Sequence, residues 1–531
     1  MTRAARVALA LGALGIAFRL ALVLTGAPPT NSDEATIGLM AVHIAERGAH
    51  PVFFYGQHYM GAVEAYLAAP LFAVLTPSVA LLRLVTLALY AAFLAAMYLL
   101  TRRLYAPWYA VAVVGLLALG SDRVLKDELI AGGGYPEINA LAAGLLLGAV
   151  RFAVRAPRRW WPYALWGLGA GLALWADFLV APYVAAAGAL LLAYRGGELW
   201  GRAGAALAGG ALLGLAPLVA HDLTSPLREN SIAVLLHLNM AGEAAGFTAA
   251  DQVYGGVLLG IPLGTGLCPP GRCGVGHLFW GAAYVPLLLA ATAMAVLALR
   301  AARRTAPLAA GTAPAEPAAQ VRQAGRLALA GAALVTILLY LRSPAAALTP
   351  IESARYLSCL LLSTPAALWP LWTLMVGLRS PGGRRAGARR AAGLAAGATL
   401  AAVLLASVAA TVAAAGTVGG IRANDRDHRD VVTYLTERDV TRVYGEYWTC
   451  NRLTFATRER IVCAVLADDL SPGFDRHPPY RAAVLAAPDP GYVVLAGSPL
   501  DDNLRARLAG RSVLVRTFGS YRVYLPAVPL L

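Results

Sequence analysis

The stretch Asn31-Ser-Asp-Glu-Ala-Thr-Ile-Gly-Leu-Met-Ala-Val-His-Ile-Ala-Glu-Arg-Gly-Ala-His50 follows directly on an apolar segment, Ala4 to Leu24, long enough to cross a bilayer. It opens with two adjacent carboxylates, Asp33 and Glu34. Asn31 or Ser32 can cap a helix in which Ile37, Met40, Ala41 and Ile44 recur at helical spacing, and Gly48 closes it. The pattern predicts an amphipathic helix lying along a membrane surface, with both carboxylates in its first turn, where the positive end of the helix favours ionised groups. Acidic residues in a first turn also occur simply as helix stabilisers, at about 0.3–1 kcal/mol each.

Composition decides the setting of this helix. The chain has 531 residues, 59% hydrophobic and only 14% charged, with a mean hydropathy of +0.62, whereas soluble domains carry about 25% charged residues. This is the composition of a polytopic α-helical membrane protein. The net charge of +15 does not point to nucleic acid, because the basic residues lie in short gaps between apolar runs: Arg3 and Arg6, Arg102 and Arg103, Arg151 to Arg159, Arg195 and Arg202, Arg300 to Arg304 with Arg322 and Arg326, and Arg379 to Arg390. The positive-inside rule assigns such gaps to the cytoplasm.

Spans are expected near 5–25, 79–100, 107–121, 136–153, 161–177, 179–194, 203–221, 278–299, 325–342, 356–378 and 391–415, about eleven crossings of roughly 20 residues. With a cytoplasmic N-terminus and an uncleaved first helix, every Arg-rich gap falls inside and the loops 26–78, 122–135, 222–277 and 343–355 fall outside, as does the tail. The expected organisation is a membrane domain over 1–418 and a small extracytoplasmic α/β domain over 419–531, with helices at Asp427–Arg438 and Asp501–Leu508 and short strands near Arg442, Ile461, Tyr492, Val513 and Tyr521. Ala306–Ala319, rich in Ala and Pro, is expected to be a linker. Cys268 and Cys273 fall in an outer loop and Cys450 and Cys463 in the tail, while Cys359 falls in a span, so two extracytoplasmic disulfides and one free thiol are expected.

From Gly48 the chain continues Ala-His-Pro-Val-Phe-Phe-Tyr-Gly-Gln-His-Tyr-Met-Gly-Ala-Val-Glu64. The carboxylate pair, the amphipathic helix, Gly-x-x-Pro and an aromatic, polar turn leading into a second helix together resemble the integral membrane glycosyltransferases of the GT-C fold, specifically bacterial relatives of protein O-mannosyltransferases and of the lipid A aminoarabinose transferase. The resemblance implies a sugar donor on a polyprenyl phosphate, with Asp33 as the catalytic carboxylate and Glu34 supporting it. One departure stands out: where the aminoarabinose enzyme has an acidic-basic-Pro-Pro element, this chain has Tyr55-Gly-Gln-His-Tyr-Met-Gly61, so the donor-phosphate and metal contacts of that element are not carried over.

Other polar segments supply the remaining parts of such chemistry, which needs cations for a departing phosphate and polar groups for sugar and acceptor. Arg355, in Thr349-Pro-Ile-Glu-Ser-Ala-Arg-Tyr-Leu357, is the expected donor-phosphate ligand, with Lys126 and Arg123. Substrate-binding candidates are Tyr55, Gln57, His58, Tyr59 and Glu64 in the first outer loop, Asp127, Glu128, Tyr135 and Glu137 around the second, and Glu352 and Tyr356 at the last. Asp177, His221 and Asp222 read as interface anchors. His43, His50 and His58 share no tight ligand spacing and read as packing or surface residues. Some relatives use a divalent metal and others do not, so no cofactor is certain and a divalent metal stays open. The aromatic run Tyr444 to Phe455 reads either as a sugar-stacking surface or as the core of a domain stapled by Cys450 and Cys463.

The expected activity is transfer of a sugar from a polyprenyl-phosphate donor to an acceptor hydroxyl on a glycan, lipid or protein, at the outer face of the bacterial cytoplasmic membrane and with inversion, the stereochemistry being an implication of the resemblance. Two rivals are a lipid or solute transporter and a non-catalytic glycan-binding membrane protein. Transporters place ionisable groups and broken helices at mid-membrane, whereas here they concentrate in the loops assigned outside.

Overall fold

The computed structural model describes residues 1–241, 246–305, 315–379, 386–528 and 530. The linker expected at Ala306–Ala319 lies outside the described residues as far as 314, and its last five residues open the helix Ala315–Arg342. Arg384 and Arg385 of the last basic cluster also lie outside them. Among the described residues 9 helices are long and apolar enough to cross a membrane, or 10 spans if Pro107–Leu117 and Asp122–Leu129, which meet at 93°, form one broken crossing. The protein is a multi-pass, mainly helical membrane protein. The count is lower than about eleven because the segment expected at 161–177 forms a helix of only 16 residues, Trp161–Ala176, about 24 Å long against an apolar layer of about 30 Å.

That short helix is held by close packing on Arg202–Thr224. A Cβ on Gly167 would fall 2.0 Å from the carbonyl oxygen of Leu207, one on Gly171 2.3 Å from that of Ala211, and one on Gly210 2.1 Å from that of Ala164. Glycines at i and i+4 on both helices let the backbones touch, which is the usual route to tight helix pairs where lipid gives no hydrophobic drive for association.

The chain divides into two compact units, one of residues 1–19, 87–128 and 133–415, the other of residues 20–86, 129–132 and 416–531. The second unit therefore unites the tail with the first loop. Its sheet has five strands, β1 (Arg442–Gly445), β2 (Val462–Val465), β3 (Gly491–Leu495), β4 (Val513–Phe518) and β5 (Tyr521–Pro526), in the order β2-β1-β3-β5-β4. β1 runs parallel to β2 and β3, and β5 is antiparallel to β3 and β4. The helix Tyr447–Ala456 follows β1 and is tied to β2 by the Cys450–Cys463 disulfide. Cys268–Cys273 closes a loop in the first unit, and Cys359 is a buried free thiol.

The opening stretch forms the helix Ser32–Arg47, with Asn31 accepting from the Glu34 N–H at 2.8 Å and Gly48 at φ +63° closing it. It is not a lipid-surface helix. Ser32 and residues 34–43 are buried, and Ile37, Met40 and Ala41 share a core with Phe72, Phe455 and Tyr492. At Gly38 a Cβ would lie 2.5 Å from the Phe455 ring, so the glycine admits that ring against the helix backbone. An apolar stripe has the same residue pattern whether lipid or protein covers it, which is why the sequence reading placed it at the membrane surface.

Replacing Gly210 by Val should overpack the glycine contact between Trp161–Ala176 and Arg202–Thr224. The expected loss is about 1–3 kcal/mol, read as a lower midpoint of thermal unfolding in detergent, while Gly209→Val, where a Cβ meets nothing within 4 Å, should leave the midpoint unchanged.

Candidate active site

The two carboxylates of the opening stretch are adjacent in sequence but point about 100° apart around the helix, and their surroundings differ accordingly. Glu34 is fully buried and forms a two-point ion pair with Arg83, at 2.7 Å to Nε and 2.6 Å to Nη2. Arg83 also donates to the Gly26 carbonyl and the Thr30 hydroxyl, both at 3.3 Å. Burial pushes the Glu34 carboxyl up, and the Arg83 guanidinium pulls against it. With both oxygens taken and no exposure, Glu34 positions the helix and does not meet substrate.

Asp33 faces another side of the helix. Its Oδ1 accepts from Nη2 of Arg476 at 2.9 Å, from Nε at 3.1 Å, and from the Tyr447 hydroxyl. Oδ2 takes no hydrogen bond among the described residues. Arg476 is nearly buried, lies 4.1 Å over the Phe54 ring, and donates to the Tyr55 carbonyl at 3.1 Å. Two glycines make room around this group. A Cβ on Gly132, which sits at φ +152°, would lie 3.2 Å from the Asp33 Cβ, and one on Gly56, at φ +75°, would lie 2.9 Å from the Phe474 ring.

A second polar group in the same unit surrounds His43. Its Nδ1 pairs with the Tyr55 hydroxyl at 2.8 Å and its Nε2 with Glu459 at 3.0 Å, while Tyr480 donates to Glu459 at 2.9 Å and Arg47 pairs with its other oxygen. Burial raises the Glu459 carboxyl, but the hydrogen bonds from His43 and Tyr480 and the charge of Arg47 outweigh it and hold it at about 2. Tyr55 stacks on His477 with ring centres 4.9 Å apart, and burial pushes its hydroxyl up to about 12. Burial, reinforced by His43, brings His477 down to about 4. Of the other candidates here, Gln57 has a buried Oε1 without a hydrogen-bond partner among the described residues, His58 lies edge-on to Phe53, Tyr59 is half-buried, and Glu64 is buried in the first turn of Val63–Val74.

In the first unit the structure sorts the remaining candidates. Glu128 is bound at 2.6 Å by Arg19, which also donates to the Ala118 carbonyl at 2.8 Å and lies 4.0 Å over the Tyr90 ring. Through Oε2 this carboxylate fixes the bend between Pro107–Leu117 and Asp122–Leu129, while its buried Oε1 takes no hydrogen bond among the described residues. Lys126 pairs with Asp122 at 2.9 Å, and Arg123 donates to the Ile351 carbonyl at 2.6 Å. Asp127 is buried with Oδ2 unbonded among the described residues, within electrostatic reach of Arg123 and Arg355. Arg355 has an unbonded buried Nε and Tyr135, Tyr356 and Asp127 as neighbours. Glu137 is buried at the start of Tyr135–Val154, and Glu352 is exposed. Asp177, expected as an interface anchor, is instead buried, caps Leu179 at 2.8 Å, and is within reach of Arg355. His221 and Asp222 serve structure, Asp222 accepting from Ser231 N–H at 2.9 Å and its hydroxyl at 2.6 Å.

Arg476, Arg83 and Arg19 are not among the residues the sequence singles out, and Tyr447 enters there only within the aromatic run Tyr444 to Phe455. Arg83 and Arg19 carried a readable signal, since a charge inside an apolar span calls for a partner. Arg476 carried none. The donor set at Asp33 is cationic and phenolic, and among the described residues no three His, Cys, Asp or Glu side chains gather as metal ligands.

No protein-family model matches the chain, and no curated protein matches it in sequence. Solved structures do match. ArnT from Cupriavidus metallidurans bound to undecaprenyl phosphate is similar at 14% identity and a TM-score of 0.59, over 98% of each chain. The same protein in the apo state is similar at 14% identity and a TM-score of 0.51, over 93% of this chain and 92% of that one.

Removing Arg83 alone (Arg83→Leu) should destabilise the protein by about 3–5 kcal/mol because it strands a buried carboxylate, and Arg83→Leu with Glu34→Leu should recover much of that loss in chemical denaturation. A second expectation concerns pH. The unfolded chain protonates His477 below about pH 6.5 while the folded one does so only below about 4, so stability should fall as pH drops through that window; His477→Phe, which keeps a stacking ring, should show a smaller fall in melting temperature between pH 7 and 4.5.

Held together by these packed helices and the mixed sheet, the chain has the GT-C fold of ArnT over nearly its whole length.

Proposed function

We propose that the protein is a glycosyltransferase that moves a sugar from a polyprenyl-phosphate donor to an acceptor hydroxyl at the outer face of the bacterial cytoplasmic membrane, with its N-terminus cytoplasmic. The reading rests on the GT-C fold and on one observation: Asp33 has one oxygen held by Arg476 and Tyr447 and the other without a hydrogen bond among the described residues. A carboxylate fixed through one oxygen keeps the other oriented toward an incoming hydroxyl with little rotational freedom to lose.

In the proposed step the acceptor hydroxyl gives its proton to Asp33 Oδ2 as its oxygen bonds the anomeric carbon. The bond from that carbon to the lipid phosphate oxygen breaks, and its electron pair leaves on the phosphate. Arg355 is proposed as the phosphate ligand because its guanidinium has an Nε without a hydrogen bond among the described residues and a planar fork suits phosphate oxygens. Asp127, Tyr135 and Tyr356 surround it and are proposed to orient it. A single displacement inverts the anomeric centre. ArnT was solved with undecaprenyl phosphate, which supports a lipid of that chemistry as carrier. The acceptor, whether glycan, lipid or protein, and the sugar are to be found by assay.

The deciding experiment is transfer of labelled sugar from a panel of polyprenyl-phosphate sugars by purified protein. Asp33→Asn, whose amide oxygen can still accept from Arg476 and Tyr447, should lower turnover by about 10²-fold or more in protein that remains folded. Near wild-type turnover in Asp33→Asn overturns the assignment of the base, and retention in the product's NMR spectrum overturns the single displacement. Lipid translocation without transfer by either protein would favour the transporter instead.

A further inference from the structure

The first unit contains a concavity of about 980 Å³ at the end of the helix bundle where Val79–Leu104 and Tyr135–Val154 finish and Trp161–Ala176 begins. Five arginines line it: Arg103, Arg151, Arg155, Arg158 and Arg322. Among the described residues none of the five forms an ion pair. The neighbouring Glu198 is paired with Arg195 at 3.2 Å, and Arg195 itself is occupied by the carbonyls of Phe152 and Ala153, at 2.7 and 3.0 Å. Cations gathered in one cleft repel each other and focus a positive potential within it. Among the described residues that line it there is no carboxylate to relieve that repulsion.

Two features select the anion. Phe152, Val154 and Val321 give the cleft apolar walls beside its charges. Trp108, Trp160 and Trp161, at the same helix ends, are 51%, 60% and 48% exposed, and exposed Trp marks the headgroup level of a bilayer. A basic, part-apolar pocket between spans at headgroup depth matches a phosphodiester carrying acyl chains better than a soluble anion.

We propose that this cleft binds the headgroup of an anionic phospholipid at the Arg-rich face of the membrane, with Arg151, Arg155 and Arg322 holding the phosphate and the apolar walls receiving the glycerol end of the chains. The chemistry recognised is a phosphate monoanion in a lipid, and it is independent of the sugar-transfer site.

The test is binding of short-chain phosphatidylglycerol to the purified full-length protein in neutral detergent, with phosphatidylcholine and inorganic phosphate as comparators. Wild type should bind phosphatidylglycerol saturably, and R151Q/R155Q should bind about tenfold more weakly or worse, with unfolding in phosphatidylcholine unchanged. If the double variant fails to fold, R322Q alone gives the same reading with a smaller loss. Equal phosphatidylglycerol affinity in wild type and folded variants overturns the site. Inorganic phosphate displacing the lipid at equal concentration overturns the lipid assignment and makes the cleft a soluble-phosphate site.

Discussion

The buried pair between Glu34 and Arg83 is the constraint on which the candidate site depends. Two charges removed from water are costly, and they persist only where geometry and additional hydrogen bonds are complete. Here the guanidinium meets both carboxylate oxygens and also ties the Gly26 carbonyl and Thr30. The pair thereby fixes the rotation of Ser32–Arg47 about its axis. Once Glu34 is turned into the core, helical geometry sends Asp33 to another face, where Oδ1 meets Arg476. A small rotation of the helix would expose the buried charge pair and misdirect Asp33 together, so the same interaction protects the fold and aims the candidate base.

Asp33 lies between two extremes. A carboxylate with no cation would be free to rotate, and one gripped at both oxygens, like Glu34, could not meet a hydroxyl. Arg476 and Tyr447 converge on one oxygen, and Phe54 supports the guanidinium from its face. The residues that aim Asp33 come from the tail more than four hundred positions away, which gives the small α/β domain a positional role in the proposed chemistry.

That separation explains what could be read from the sequence. The membrane class, the helix of the opening stretch with its Asn31 cap and Gly48 stop, and the five strands of the tail follow from composition, periodicity and local backbone preference, all of which act over a few residues. The identity of what covers a helix is not local. Ile37, Met40 and Ala41 meet Phe72 and Phe455 instead of lipid, and no residue in the helix distinguishes the two. Glu128 and Asp127 look equivalent as neighbours in sequence, yet Arg19 pairs with one and no cation pairs with the other among the described residues. Sequence proximity told which carboxylates were candidates, and partners from remote spans told which were already engaged.

The arginines divide by the same criterion. Arg19, Arg83, Arg452 and Arg476 each have a carboxylate at 2.5–2.9 Å and are nearly buried; their charge is matched internally, and they set geometry. With 44 basic against 29 acidic residues, the chain cannot match them all, and the surplus has to lie where water, lipid or a ligand can answer it. In the first unit part of that surplus is concentrated in one cleft with apolar walls. Placing unmatched cations singly along a membrane surface would satisfy the positive-inside rule at less mutual repulsion. Their collection in a concavity is therefore more than a topological signal, and an anion that brings its own apolar portion relieves both the repulsion and the exposure of the walls.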